Sequence, residues 1–167
     1  MKNRVFVTLL LIFTLSSAAF AIDGYKWDMS KTEAEAMMRE IGRATGITLK
    51  LVKESQSVSV YQGYLNSGAP VGSTVLRFDE NGGLNAIGST LPPIRGTNEA
   101  NDKAATAIFN ALAKSFGKGE YALLRESADR AVYLSKKKTD GYWDKITIFK
   151  VKDGDSYVVG VSIEKRE

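Results

Sequence analysis

The chain has 167 residues, with 23 Lys+Arg against 19 Asp+Glu and neither histidine nor cysteine. Without histidine there is no Ser-His-Asp triad, no Cys-His pair and no histidine metal ligand; without cysteine there is no disulfide framework, zinc knuckle or redox thiol. The remaining composition, 44% hydrophobic and 25% charged, describes a folded domain rather than a disordered tail.

Residues 1–21 read as a secretory signal peptide. Lys2 and Arg4 form a positive n-region, Val5 to Leu15 an apolar h-region, and Ala19 and Ala21 occupy the A-x-A cleavage positions. The apolar run falls short of the ~20 residues that a membrane span needs. The expected mature chain, Ile22–Glu167, is therefore periplasmic or secreted and does not span a membrane after cleavage; an uncleaved anchor is the alternative. With no cysteine at the cleavage point, bacterial lipid attachment is excluded. Removing Lys2 and Arg4 lowers the net charge from +4 to +2, so basicity gives no argument for a nucleic-acid partner.

The rest, residues 22–167, reads as one α+β domain of two tandem helix-plus-four-strand repeats, about 25–93 and 97–166. Tyr25-Lys26-Trp27-Asp28-Met29 is an aromatic lead-in that predicts a hydrophobic staple. Ser30 and Glu33 form an S-x-x-E capping box. Ala34, Met37, Met38, Ile41 and Ala44 follow at helical spacing until Gly46. Alternating strands come next, and Asp79-Glu80-Asn81-Gly82-Gly83 marks a hairpin. Pro92-Pro93 breaks the pattern. Thr97 is then the expected N-cap of a second helix, with Ala104, Ile108, Ala111, Leu112 and Phe116 on its apolar face and Gly117 at its end. Further alternating strands follow, with turns at Asp140-Gly141 and Asp153-Gly154.

The two halves match in sequence. Residues 51–61, LVKESQSVSVY, set against residues 123–133, LLRESADRAVY, at an offset of 72, with Lys53 opposite Arg125 and Tyr61 opposite Tyr133. After one inserted residue, Thr74 to Phe78 set against Thr147 to Val151. A unit of ~70 residues is near the lower limit for an independent core. The halves are therefore expected to share one antiparallel sheet, with both helices packed on one face.

No cluster nominates a catalytic site, a cofactor site or a metal site. Asp79-Glu80 and Asp153-Gly154-Asp155 read as turn formers, with a carboxylate pair or calcium loop as the functional alternative. Lys136-Lys137-Lys138 reads as the solvated end of a hairpin, or as a contact for an anionic partner. The aromatics are the better lead. Tyr61 follows Val60, and Tyr133 follows Val132. If the valines face the helices, both tyrosines stand on an open sheet face; the reverse parity makes them core. With Tyr64, Trp143 and Lys137, they are the candidate partner-binding residues.

Trp27-Asp28-Met29-Ser30 resembles the Trp-Gly-Met-Ser opening of small exported bacterial proteins of unknown function, with Asp28 where glycine is usual. The doubled plan is similar, in architecture, to the beta-lactamase inhibitory protein family, in which tandem α/β repeats form a concave sheet that grips a partner enzyme. It is also similar to the small subunit of the outer-membrane assembly machinery. Neither resemblance carries over a binding residue, and the inhibitory family uses disulfides that this chain lacks. The expectation is a non-enzymatic, exported protein-binding module that acts as inhibitor, adaptor or envelope assembly factor on another envelope or secreted protein. The alternative is a carboxylate-dependent hydrolase of envelope glycan.

Overall fold

The computed structural model describes residues 25–117, 121–138 and 140–167. The expected signal peptide lies outside the described residues. Ser30 caps the first helix, α1 (Lys31–Thr45): its side chain accepts from Glu33 N, while the Glu33 carboxylate accepts from Ser30 N at 2.9 Å. Gly46 ends the helix with φ 70°, a left-handed conformation that glycine adopts without steric cost. Four strands follow: β1 (Thr48–Glu54), β2 (Val58–Tyr64), β3 (Pro70–Phe78) and β4 (Leu84–Thr90). Asp79 Oδ1 accepts from both Asn81 N and Gly83 N at 2.9 Å, so this carboxylate closes the β3–β4 turn on its own backbone.

The Pro-Pro segment holds an unforeseen short strand, β5 (Ile94–Arg95). The second helix, α2, is Glu99–Gly117, and its cap is Asn98 rather than Thr97. The Asn98 side chain accepts from Asn101 N at 2.9 Å. Its buried stripe is Ala105, Phe109, Leu112 and Ala113, with Ala104 and Ala111 exposed. The expected face is thus turned by about one residue, since an alanine-rich helix offers apolar side chains on several faces and only docking selects among them. Strands β6 (Tyr121–Glu126), β7 (Arg130–Ser135), β8 (Trp143–Asp153) and β9 (Ser156–Arg166) complete the chain.

The nine strands among the described residues form one sheet in the order β1-β2-β3-β4-β9-β8-β7-β6, with β5 also on β9. Every described pair is antiparallel. The first and second halves therefore meet at β4 and β9, and β1 and β6 are the two edges. Leu76, Ile87, Ile163 and Ile146 are successive cross-strand partners on β3, β4, β9 and β8. Such partners share a face. Leu76 and Ile87 pack with Ala34 and Met38 of α1, and Ile163 and Ile146 pack with Ala105 and Phe109 of α2. Both helices thus lie over the same side of the sheet. No described helix is long and apolar enough to cross a membrane.

Two local geometries recur 72 residues apart. The β1–β2 register slips between Leu51 and Lys53, and the β6–β7 register between Leu123 and Arg125. Ser55 N donates to Val58 O, and Ser127 N to Arg130 O, both at 2.8 Å. One expected match is displaced. Val60 pairs with Val75, and Val132 pairs with Thr147, so the offset of 72 continues without an insertion. Thr74 and Thr147 therefore stand on opposite faces, because a slip of one residue in a strand reverses its side chains.

Candidate functional site

Strand alternation assigns each candidate to a side of the sheet. Tyr61 and Tyr133 turn toward the helices and are 5% and 4% exposed. The reverse parity is the one observed, and neither tyrosine belongs to an open face. Tyr61 packs with Met38 and Leu76; burial, followed by the Glu35 charge, pushes its hydroxyl pKa up to about 12. The Tyr133 hydroxyl donates to Ala113 O at 2.8 Å and so ties β7 to α2. The valines beside them, Val60 and Val132, face away from the helices and are half-buried.

The remaining candidates do not converge. Tyr64 lies on the helix-free side at the end of β2, half-buried, with Lys50 Nζ 5.1 Å from its ring centre. Trp143 lies on the same side at the start of β8, where it pairs with Arg166 and has Lys138 Nζ 5.6 Å from its ring. Lys137 is exposed between β7 and β8. The β7–β8 hairpin brings Trp143 and Lys137 into one neighbourhood. Tyr64 is on the other half of the sheet, at the opposite end of the strands.

What the helix-free side does assemble is a cross-sheet row. Pairing runs from Lys53 to Val60, Val75, Gly88, Ser162, Thr147, Val132 and Arg125, one residue from each of the eight strands on the edge-to-edge path. The row has a cation at each end, valines inside the cations and small residues at the centre. A neighbouring row holds Phe149 against Gly160, where an added Cβ would come within 2.7 Å of the ring. The absent side chain lets the ring lie flat on the sheet.

Charge on this side is mostly positive. By register it carries Lys50, Lys53, Arg77, Arg125, Arg130, Lys145 and Arg166, against Glu164 and the turn residue Asp153. Lys145 pairs with Glu164 at 2.9 Å, and Arg166 approaches the same carboxylate at 3.5 Å. Among the described residues, Lys53, Arg77, Arg125 and Arg130 have no ion-pair partner. All four are exposed. Sequence reasoning passed over them, although the like-for-like Lys53/Arg125 match was a usable signal. α1 and α2, in contrast, each carry equal numbers of acidic and basic residues.

Two other features lie on the helix side of the sheet. Trp27 Nε1 donates to Asp144 Oδ1 at 2.7 Å, and the indole packs against both core clusters. Next to it, Asp28 has φ 64° and accepts from Lys165 Nζ, whose ammonium lies 4.5 Å from the Tyr142 ring. These contacts clasp the lead-in to β8 and β9, as the staple reading anticipated in kind. Glycine would adopt this left-handed backbone without steric cost. A cleft of about 90 Å³ opens between α1, α2 and the sheet. Met38, Ile41, Leu49, Leu112 and Val161 line it with Thr and Ser hydroxyls, and no charged residue contributes. Among the described residues no group of three or more acidic side chains is placed to hold a metal.

Comparison of the chain with protein-family models, with curated proteins and with solved structures gives no match.

Proposed function

We propose that this chain is an exported protein-binding module, periplasmic or secreted, that grips another envelope or secreted protein with the helix-free side of its sheet. It acts without chemistry of its own, as an inhibitor, adaptor or assembly factor. The observation that carries the reading is the cross-sheet row from Lys53 to Arg125, exposed at its two ends and half-buried between them, which crosses eight strands while both helices cover the other side. The recurring register slips at Leu51/Lys53 and Leu123/Arg125 support its construction from two tandem helix-plus-four-strand repeats. A doubled unit of this kind yields a broad sheet from a short plan. The binding residues in this reading are Val75, Tyr64, Trp143 and Lys137 with the cations around them; Tyr61 and Tyr133 hold the core beneath. The hydrolase reading requires carboxylates that face each other across a cleft. The cleft lining contains neither Asp nor Glu, and no other observation favours that reading.

The test is site-specific photocrosslinking in a periplasmic extract. A benzophenone side chain at Val75 is expected to give an adduct of discrete mass. The same group at Ala44, exposed on α1, is expected to give none. No adduct at Val75, or equal adducts at both positions, refutes the surface.

A further inference from the structure

Resting on that reading of the surface, we propose that the partner segment is acidic: a flexible stretch of protein chain that crosses the helix-free side and places carboxylates at both sheet edges. The cations without an internal partner are distributed over both halves. Lys53 and Arg77 stand on β1 and β3, and Arg125 and Arg130 on β6 and β7. Between them the central strands present Gly88, Ser162 and Thr147, which carry no charge and little bulk. Lys53 and Arg125 are seven strand spacings apart, or about 34 Å at ~4.8 Å per spacing. A chain of about 10–12 residues spans that distance when extended.

Charge and shape together select the occupant. Arginine forks pair with carboxylates through two parallel hydrogen bonds. Like-signed, unneutralised cations attract a complementary surface and repel a basic one. A bilayer also presents anions, but it is flat. Strands rotate by roughly 20° from neighbour to neighbour, so the two edges of an eight-strand path point in very different directions. A flexible polypeptide follows that twist, and a planar headgroup surface meets one edge at a time. The small central residues add to this, since they admit close approach of a partner backbone.

The experiment uses a fluorescein-labelled Glu/Ser peptide of about 12 residues and the mature protein, with anisotropy read at low and high salt. Binding is expected at low salt and is expected to weaken with added salt. Reversal of Lys53, Arg77, Arg125 and Arg130 to Glu is expected to weaken it about tenfold or more. Reversal of Arg39, Arg43, Lys103 and Lys114 on the helices changes the net charge equally and is expected to leave most of the affinity. Circular dichroism melts confirm that both variants fold. Absence of peptide binding, or equal loss in the two variants, overturns the proposal. So does sedimentation of the wild type with phosphatidylglycerol vesicles in preference to peptide binding. Should the Val75 adduct persist in the sheet-face variant, the surface stands and the acidic partner falls. Should the Val75 adduct never form, the surface itself falls.

Discussion

At the residue scale, Tyr133 shows how one side chain changes meaning when its face is known. On an open face its loss would leave the fold intact. Only 4% exposed and bonded to Ala113 O, it is a core residue. Tyr133→Phe is expected to cost about 1 kcal/mol for the lost hydrogen bond. Tyr133→Ala is expected to cost about 3–5 kcal/mol, because a cavity is left under α2. Urea midpoints measure both, and equal small losses would contradict the assignment. Asp28 makes a pH prediction. The hydrogen bond from Lys165 is the first cause holding its carboxyl below the usual range, with Tyr142 adding to it. Its folded pKa is therefore lower than its unfolded one. The stabilisation is present above the unfolded value of about 4 and is lost as pH falls through the folded pKa. Asp28→Asn is expected to be less stable than wild type near neutrality and to converge with it in acid. A constant gap across the pH range would mean that the ion pair is not the cause.

At the element scale, local signals were legible where the chemistry is local. The Ser30–Glu33 box and the Gly46 terminator were readable because capping needs only residues three or four apart. Ser30→Ala is expected to lower stability by about 1 kcal/mol, seen as a shift in urea midpoint with unchanged slope. No shift would show that α1 is held by packing alone. Thr97 and Asn98 were not separable in the same way, since both side chains can cap and the turn after β5 decides which one reaches the helix. The β-strands were visible as alternation, but their facing was not. Val60 and Tyr61 are both apolar, so a period of two marks two sides without saying which one a helix will cover. The displaced match of Thr74 to Thr147 has the same origin: similar residues at either register look alike in sequence, and the pairing of Val132 with Thr147 settles it.

At the scale of the whole molecule, the sheet order joins the halves through β4 and β9 and leaves two bulged edges. The exposed apolar residues Leu51 and Val52 lie at one edge, and Leu123 and Leu124 at the other. Each group adjoins a register slip and a basic residue, devices that discourage edge-to-edge pairing. In the proposed reading the binding surface is the broad side rather than the rim. Its cations come from β1, β3, β6, β7, β8 and β9, which are remote in sequence. No window of the chain shows them as a patch, and the overall charge balance conceals them, because acidic turn residues such as Asp79, Glu80, Asp129 and Asp155 offset the total. The adduct at Val75 and the charge-reversal comparison both test the molecule at this scale.

By itself, the sequence determined the class of the protein, the order of most of its elements, the caps of α1 and the correspondence between residues 51–61 and 123–133. Those follow from short-range rules of spacing, capping and turn formation that act within a few residues. The tertiary structure alone decided which side of the sheet the helices cover, which tyrosines are buried and where the positive charge gathers. Each of those depends on how far strands pack against one another and against the helices, and strand alternation leaves that choice of side degenerate until the core closes.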